Sequence, residues 1–278
     1  MKETLTLSGE DGEGKPLTEL PHTSKDSMTS FYLRAIGREG KAETVVDFIN
    51  QQLEAEPKRY DSADEFLADN PNYLEQADGS ISSEQKAALR DYSSYNFAWI
   101  NTVERGFWDY EKLGRKTPEK EAECKATARN IDQAICAAPA PTEDFETVRG
   151  TDLSGFAQFG VHNIAELEQM EGQMMVERSF TSTALKKGNS FVGHEGTLWI
   201  GSNNVEIHYR LPAGYKTSVA MLNNELSYSP GETEVLINRG MLSYISNVEI
   251  DESGEHAKMD VVVVPFELYD PARLESNT

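Results

Sequence analysis

Long hydrophobic runs are absent from this 278-residue sequence, and its first 22 residues, MKETLTLSGEDGEGKPLTELPH, contain none. A membrane-spanning helix needs about 20 consecutive apolar residues, and a cleavable secretory signal needs a shorter apolar core. We therefore expect neither a membrane span nor such a signal. If the protein leaves its cell, we expect a route that does not read a hydrophobic signal.

Cysteine is scarce and histidine is scattered. Cys124 and Cys136 are the two cysteines, and they lie in a segment with helical periodicity. The five histidines form no HExxH pair, and no CxxC motif is present. Metal sites in proteins usually show such spacings. We predict two free thiols and no metal.

Basic residues are outnumbered by acidic ones. The chain has 26 Lys and Arg against 47 Asp and Glu, a formal net charge of −21. Such a surface repels phosphate backbones and anionic membranes. The charge therefore disfavours nucleic acid as a partner, no membrane partner is expected, and a basic protein partner is compatible with the charge.

A dinucleotide-binding glycine motif after a strand is also missing. Gly9, Gly12 and Gly14 lie among acidic residues with no strand before them. This composition is typical of a flexible acidic segment rather than of a phosphate loop. We predict an acidic, partly disordered N-terminal extension over residues 1–58 and a folded domain over residues 59–278.

The periodicity of apolar residues changes along the chain from helical to strand-like. Helical spacing predicts helices over residues 43–54, after Ser62, over 84–113 and over 118–137, and the segment from Ala137 to Thr142 ends the last of them. Alternation then predicts strands at 145–149, 174–183, 197–200, 205–211, 217–222, 233–238, 242–250 and 258–268. Helices followed by strands indicate an α+β fold.

Three of the predicted strand segments contain polar residues at positions where a packed core favours apolar ones. They are Thr147-Val148-Arg149-Gly150, Phe180-Thr181-Ser182-Thr183-Ala184 and Glu232-Thr233-Glu234. We predict that Glu232 and Glu234, two positions apart on one strand, point to the same face. Neighbouring carboxylates repel each other unless a cation lies between them, and a guanidinium is such a cation.

In this order, the three segments resemble the signature of the arginine-specific mono-ADP-ribosyltransferases of the bacterial exotoxin type. The helical spacing of Tyr92, Phe97 and Asn101 matches that family too, and the resemblance covers roughly residues 60–278. Two positions depart from the family pattern. Ala184 stands in place of the last Ser of the Ser-Thr-Ser strand, and Phe97 stands where a Tyr is frequent.

The resemblance implies an ADP-ribosyltransferase fold, with an N-terminal helical lobe packed on two antiparallel-rich β-sheets, and NAD as co-substrate. Arg149 is expected to pair with the NAD pyrophosphate, Ser182 to orient Glu234, and Glu234 to stabilise the cation formed when the nicotinamide bond breaks. Glu232 is expected to bind the acceptor arginine, and Tyr228 to contact the target protein. The implied cofactor-binding residues are Tyr92, Phe97, Asn101, Arg149, Gly150, Thr183 and Phe191.

The function implied by this resemblance is that of a toxin or effector that modifies arginine on a foreign protein in the cytoplasm of a target cell. Residues 1–58 would then serve delivery or targeting. Two alternatives stay open. The acceptor can be different, such as water in an NAD glycohydrolase, a small guanidine or a nucleic-acid base, or the protein can be a binding protein that has lost catalysis.

Overall fold

The computed structural model describes residues 37–73, 80–106, 117–153, 156, 159–185 and 204–272. Four features predicted from the sequence lie wholly or partly outside these ranges: residues 1–36 of the extension, residues 107–113 of the helix at 84–113, Phe191 and the strand at 197–200.

Five helices make up most of the first half of the described chain. They are α1 (Ala42–Glu54), α2 (Ala63–Asp69), α3 (Ser83–Asp91), α4 (Phe97–Glu104) and α5 (Pro118–Ala137). Ser62, Ser82 and Thr117 cap α2, α3 and α5, because each hydroxyl accepts a hydrogen bond from the backbone N–H three residues on. The bounds of α5 agree with the sequence prediction, since Thr117-Pro118 is a strong helix start.

The helix predicted over residues 84–113 is interrupted in its described part, because a π-helical turn at Tyr92–Asn96 separates α3 from α4. Ser94 leaves the helical conformation, with φ −87° and ψ −151°. Side chains stabilise the break: the Ser94 hydroxyl donates to the Asp91 carbonyl at 2.5 Å, and Asn96 Nδ2 donates to Asp91 Oδ1 at 2.6 Å.

In the described residues, eight strands form a single mixed sheet. They are β1 (Phe145–Thr151), β2 (Met174–Val176), β3 (Thr181–Ala184), β4 (Val205–Leu211), β5 (Ser218–Met221), β6 (Glu234–Ile237), β7 (Leu242–Ile250) and β8 (Ala257–Val264). Their order is β2-β7-β8-β4-β1-β3-β6-β5, and the β4–β8 pair is parallel. The α+β class predicted from the sequence is confirmed.

The sheet has a five-stranded part and a three-stranded part that meet at one register pair, Val148 of β1 opposite Ala184 of β3. The two predicted sheets are thus joined through this pair into one. The predicted strand at 174–183 is divided, since β2 pairs with β7 in the larger part and β3 pairs with β6 in the smaller. The last predicted strand ends at Val264, and a short helix α6 (Phe266–Tyr269) follows Pro265.

The buried apolar residues form two clusters, one between helices α3–α5 and one face of the three-stranded part, the other joining the five-stranded part to the opposite face of the three-stranded part. The helices α3, α4 and α5 pack on the three-stranded part, where Leu89, Ile131 and Leu236 are fully buried. Helix α1 packs on the five-stranded part, and its Val45 and Ile49 are fully buried there. Helix α1 falls within the predicted extension 1–58, yet its apolar face belongs to the core of the folded domain.

Within the described ranges, no helix combines the length and the apolar character that crossing a membrane requires.

Candidate active site

Arg149 and Ser182 lie where the two parts of the sheet meet. Arg149 is on β1, beside the Val148–Ala184 pair, and Ser182 is on β3. Arg149 Nη1 donates a hydrogen bond to the Ser182 carbonyl oxygen at 2.8 Å. Both residues are half-buried, so the guanidinium is held by the neighbouring strand while part of it remains accessible. Gly150 follows on β1 opposite Glu206.

Glu234 opens β6 in the adjacent position of the sheet. It pairs with Ala184 of β3 on one side and Met221 of β5 on the other, and it is only 6 % exposed. The Ser182 side chain hydrogen-bonds the Glu234 carboxylate, and the charge of Arg149 acts on it. The structure therefore brings Arg149, Ser182 and Glu234 together.

Burial raises the pKa of Glu234 from 4.5 to about 7. The negative charge of Glu232 also raises this pKa, whereas the hydrogen bond from Ser182 and the charge of Arg149 lower it. With a pKa of about 7, the Glu234 carboxyl group is only partly ionised at neutral pH, and a cation bound beside it would favour its ionised form. Arg149 and Ser182 favour that form too, but burial outweighs their effect.

Glu232 does not share a strand face with Glu234, so that prediction is wrong. Glu232 ends a 3-10 turn, Pro230–Glu232, and Thr233 then adopts the left-handed conformation with φ 51°. The alternation rule applies only to extended backbone, and β6 begins at Glu234. Glu232 is half-buried, its pKa is raised by burial, and its charge still acts on Glu234.

Tyr92 and Asn101 meet under the start of β3. Asn101 Nδ2 donates to the Tyr92 hydroxyl at 3.0 Å, and that hydroxyl donates to the Phe180 carbonyl at 3.3 Å. A straight α-helix turns about 100° per residue, so positions nine apart would lie on opposite faces. The π-helical turn is what brings the two side chains to one side. Tyr92 is 1 % exposed, so it supports the site from below.

The other residues that were predicted for the site differ in their exposure and location. Phe97 is 47 % exposed beside Tyr92, with ring centroids 6.4 Å apart. Thr183 is buried on the opposite face of β3 from Ser182, where its hydroxyl donates to the Val235 carbonyl at 2.7 Å. The structure thus does not bring the Thr183 side chain to the site. Tyr228 is 63 % exposed in the loop before Glu232. Phe191 lies outside the described residues.

Two arginines near the site were missed by the sequence reasoning. Arg105, at the end of α4, donates through Nε to Glu177 Oε1 at 3.2 Å, and its charge acts on Tyr92 together with that of Arg149. Arg239, just after β6, bonds Asp132 of α5 and Glu104 of α4. Their partners are tens of residues distant in sequence, so no local spacing could have predicted these contacts.

A metal-compatible group exists elsewhere in the part of the chain that the structure describes. Ligand atoms of Glu146, His208 and Asp260 lie within 4.8 Å of one another. Arg59 Nε already pairs with Glu146 at 2.9 Å, and Lys258 Nζ with Asp260 at 3.1 Å. The carboxylates of this group therefore have cationic partners within the protein, and we assign no metal to it.

Comparison with known proteins gives a family and a fold. The sequence profile of the family described as ADP-ribosyltransferase exoenzyme matches residues 49–264. Among solved structures, C3stau2 from S. aureus with NAD is 22 % identical, with a TM-score of 0.58 over 76 % of this chain and 100 % of that one. Plx2a, an ADP-ribosyltransferase toxin from Paenibacillus larvae, is 24 % identical, with a TM-score of 0.53 over 76 % and 100 %. A search of curated protein sequences found no match.

Proposed function

The chain belongs to the ADP-ribosyltransferase exoenzyme family, and we propose that it transfers ADP-ribose from NAD to an arginine side chain of another protein. The observation that carries this proposal is the buried carboxylate of Glu234, bonded by Ser182, near Arg149 and two residues after a second carboxylate. NAD as co-substrate is supported by the family and by the structural similarity to C3stau2, whose crystal structure was determined with NAD.

Arg149 and Glu234 suit two different charges of NAD. A guanidinium pairs in a fork with phosphate oxygens, so Arg149 would hold the pyrophosphate. Glu234 would accept a hydrogen bond from the 2′-OH of the nicotinamide ribose and stabilise the positive charge that develops on that sugar. Ser182 would keep the Glu234 carboxylate in one orientation.

The reaction breaks the bond between ribose C1′ and the nicotinamide nitrogen. The bonding electrons leave with the pyridinium nitrogen, which becomes neutral, so no general acid is needed. A guanidine nitrogen of the acceptor then bonds C1′ and loses a proton. Because the guanidinium of arginine holds its proton tightly, full deprotonation before the attack is costly. Glu232 would therefore orient the guanidinium and accept that proton as the new bond forms.

The expected biological setting is that of a toxin or effector acting in the cytoplasm of a target cell. The family supports this setting. The target would be a protein with an accessible arginine, and the net charge of −21 favours a basic one over nucleic acid. Of the predicted extension 1–58, the part before helix α1 is proposed as a segment for delivery or targeting, because the apolar face of α1 belongs to the core of the folded domain.

Labelled NAD tests the proposal. We expect the wild type to label proteins of a eukaryotic cell extract and to modify agmatine, a small guanidine, and we expect Glu234→Gln to lose both. Glu232→Gln should lose transfer to agmatine while keeping slow cleavage of NAD by water. Equal labelling by wild type and Glu234→Gln would refute the role of Glu234.

An NAD glycohydrolase, or a transferase to another acceptor, is the main alternative. Glu232 is only half-buried, which leaves water access to this carboxylate. If wild type cleaves NAD but labels neither agmatine nor protein, water is the acceptor. Hydroxylamine releases ADP-ribose from arginine. If protein is labelled but agmatine is not, and hydroxylamine does not release the label, the acceptor is a different side chain. Absence of NAD binding by calorimetry would instead favour a protein that has lost catalysis.

A further inference from the structure

The loop of residues 223–229, which leads to Glu232, has a fixed internal conformation. Asn223 Oδ1 accepts hydrogen bonds from the backbone N–H of Glu225 at 2.9 Å and of Leu226 at 3.1 Å. The Leu226 side chain is 1 % exposed and belongs to the core under helices α3–α5. A loop with satisfied backbone groups and a buried anchor holds its shape better than its surface position suggests.

Three residues on one face of helix α3 and the following turn bind this loop. Lys86 Nζ pairs with Glu225 Oε2 at 2.8 Å, and Arg90 Nη1 donates to the Ser227 carbonyl at 3.1 Å. The Ser93 hydroxyl oxygen accepts from the Tyr228 backbone N–H at 2.6 Å. Arg90 Nη1 also donates to the carbonyl of Asn224. The residues Lys86, Arg90 and Ser93 are four and three positions apart, the spacing that places helix residues on one side. We call them the loop-holding face.

These contacts fix Tyr228 although its side chain is 63 % exposed. The Arg90 guanidinium lies over the Tyr228 ring, 5.8 Å from its centroid, a distance at which a cation is attracted to an aromatic face. The Tyr228 backbone N–H is bonded to Ser93 at the same time. One ring face is therefore covered by the protein, and the exposed remainder is held in a defined direction. Glu232 follows four residues later, with its backbone N–H bonded to the Ser229 carbonyl at 3.0 Å.

Different contacts hold the groups proposed for NAD chemistry. Arg149 is held by the Ser182 carbonyl at 2.8 Å, and Glu234 is held by the β3–β6 pairing and by Ser182. Neither set uses Lys86, Arg90 or Ser93. The contacts that hold the loop presenting Tyr228 and Glu232 are thus separate from those that hold the NAD-cleaving groups, and the charge of Glu232 is the link between them.

We propose that Lys86, Arg90 and Ser93 are positioning residues for the protein acceptor, which set the placement of Tyr228 and Glu232 and leave NAD cleavage itself unaffected. This inference rests on the proposed transfer to arginine. It assigns acceptor affinity to a helix face that does not itself touch the acceptor.

Variants of the loop-holding face separate acceptor binding from NAD cleavage. With poly-L-arginine as acceptor, Arg90→Gln and Ser93→Ala should each raise the acceptor KM by about threefold to tenfold, the effect of losing one or two surface contacts. Their rate of NAD cleavage in water should equal that of wild type. Arg90→Lys should recover only part of the loss, because an ammonium cannot reproduce the bonds of the planar fork.

A matched pair of lysine variants provides the control. Lys86→Gln removes an ammonium paired with Glu225, and Lys125→Gln removes one paired with Glu121 at 2.5 Å on the surface of α5. We expect only Lys86→Gln to raise the acceptor KM. An unchanged KM in Lys86→Gln, Arg90→Gln and Ser93→Ala would overturn the inference. A parallel fall of NAD cleavage would overturn it as well, since these residues would then support the whole site.

Hydrogen exchange distinguishes failure of this inference from failure of the proposed function. Amides of residues 223–229 should exchange faster in Arg90→Gln and Ser93→Ala than in wild type. Unchanged exchange would overturn the loop-holding role whatever the acceptor. If the wild type itself leaves poly-L-arginine unmodified, the proposed function is refuted, and the acceptor role of this face is refuted with it.

Discussion

At the scale of single residues, the ionisation of Glu234 dominates the site. Its carboxylate is 6 % exposed, and burial raises its pKa to about 7. Only the ionised form can stabilise a developing positive charge on the ribose. NAD cleavage should therefore depend on pH near neutrality, in a range that an exposed glutamate with a pKa of about 4.3 would not reach.

We predict that kcat/KM for NAD cleavage rises with pH through about 7, because the protonated Glu234 of the free enzyme is inactive. Glu232→Gln should move this acid limb to lower pH, since the charge of Glu232 raises the pKa of Glu234. A pH profile of NAD hydrolysis for both proteins measures the shift. Identical limbs, or a limb that moves upward, would contradict the electrostatic coupling of the two carboxylates.

The same pKa predicts that Glu234 costs stability. Because the folded protein holds the Glu234 proton more tightly than the unfolded chain, its stabilising effect is present below pH 4.5 and is lost as the pH rises to about 7. Glu234→Gln should therefore be more stable than wild type at pH 8, by about 3 kcal/mol, and nearly equal to it at pH 4.5. Urea unfolding at the two pH values tests this.

Glu168→Gln is a suitable control for that comparison, because Glu168 is exposed. We expect its free energy of unfolding to match that of wild type at both pH values. A Glu234→Gln variant that gains no stability at pH 8 would show that other groups compensate the buried carboxylate.

Residue identities near the site could be predicted from the sequence, but side-chain directions could not. The spacing of Tyr92 and Asn101 was visible, whereas their contact depends on the break at Ser94. The pair Glu232 and Glu234 was visible too, yet the left-handed Thr233 cancels the alternation on which the prediction rested. Backbone irregularities of this kind are stabilised by tertiary contacts, such as the Leu185 N–H bonded to the Thr233 carbonyl at 3.1 Å.

At the scale of elements, Arg239 links the strand that carries Glu234 to two helices. It bonds Asp132 of α5, with Nε 3.0 Å from Oδ1, and Glu104 of α4, and its guanidinium lies 5.5 Å from the centroid of the Phe180 ring. Asp132 is 4 % exposed. The spacing between α4, α5 and β6 therefore depends on one half-buried cation.

Arg239→Met should destabilise the protein by about 3–5 kcal/mol, because it leaves Asp132 and Glu104 without the guanidinium in a buried position. Lys258→Met removes a partner of Asp260 at a site where both side chains are about one-third exposed, so it should cost less than about 1 kcal/mol. Chemical denaturation measures both. Similar losses in the two variants would show that the Arg239 network is not a structural link.

Elements with strong local signals were predicted well, and those defined by long-range pairing were not. Helix α5 has a capping Thr117, a first-position Pro118 and sustained apolar spacing, and its bounds were predicted correctly. The residues after Met174 look like one strand in the sequence. The chain instead turns at Glu177, whose carboxylate accepts from the Ser179 backbone N–H at 2.9 Å, and enters the other part of the sheet. Strand partners of that kind are chosen by the whole fold.

At the scale of the whole molecule, the boundary between the extension and the folded domain can be tested by truncation. Helix α1 lies before residue 59, yet Val45, Phe48 and Ile49 are at most 7 % exposed in the core of the five-stranded part. Lys58 also bridges to β1: its N–H donates to the Asp144 carbonyl at 2.8 Å, and its carbonyl accepts from the Glu146 N–H at 2.9 Å. Both features tie residues 42–58 to the sheet.

We predict that removal of residues 1–36 leaves the melting temperature and NAD cleavage unchanged, while removal of residues 1–58 lowers the melting temperature sharply. Burial of one large apolar side chain is worth about 1.5–3 kcal/mol, so loss of three, together with the Lys58 bridge, amounts to much of the stability of an ordinary domain. Thermal unfolding with an NAD-cleavage assay compares the truncated chains. If the chain that starts at residue 59 melts like the full-length protein, α1 is dispensable and the boundary at 58 holds. If it unfolds at a much lower temperature while the chain that starts at residue 37 does not, any segment for delivery must end before α1, and the catalytic domain begins with it.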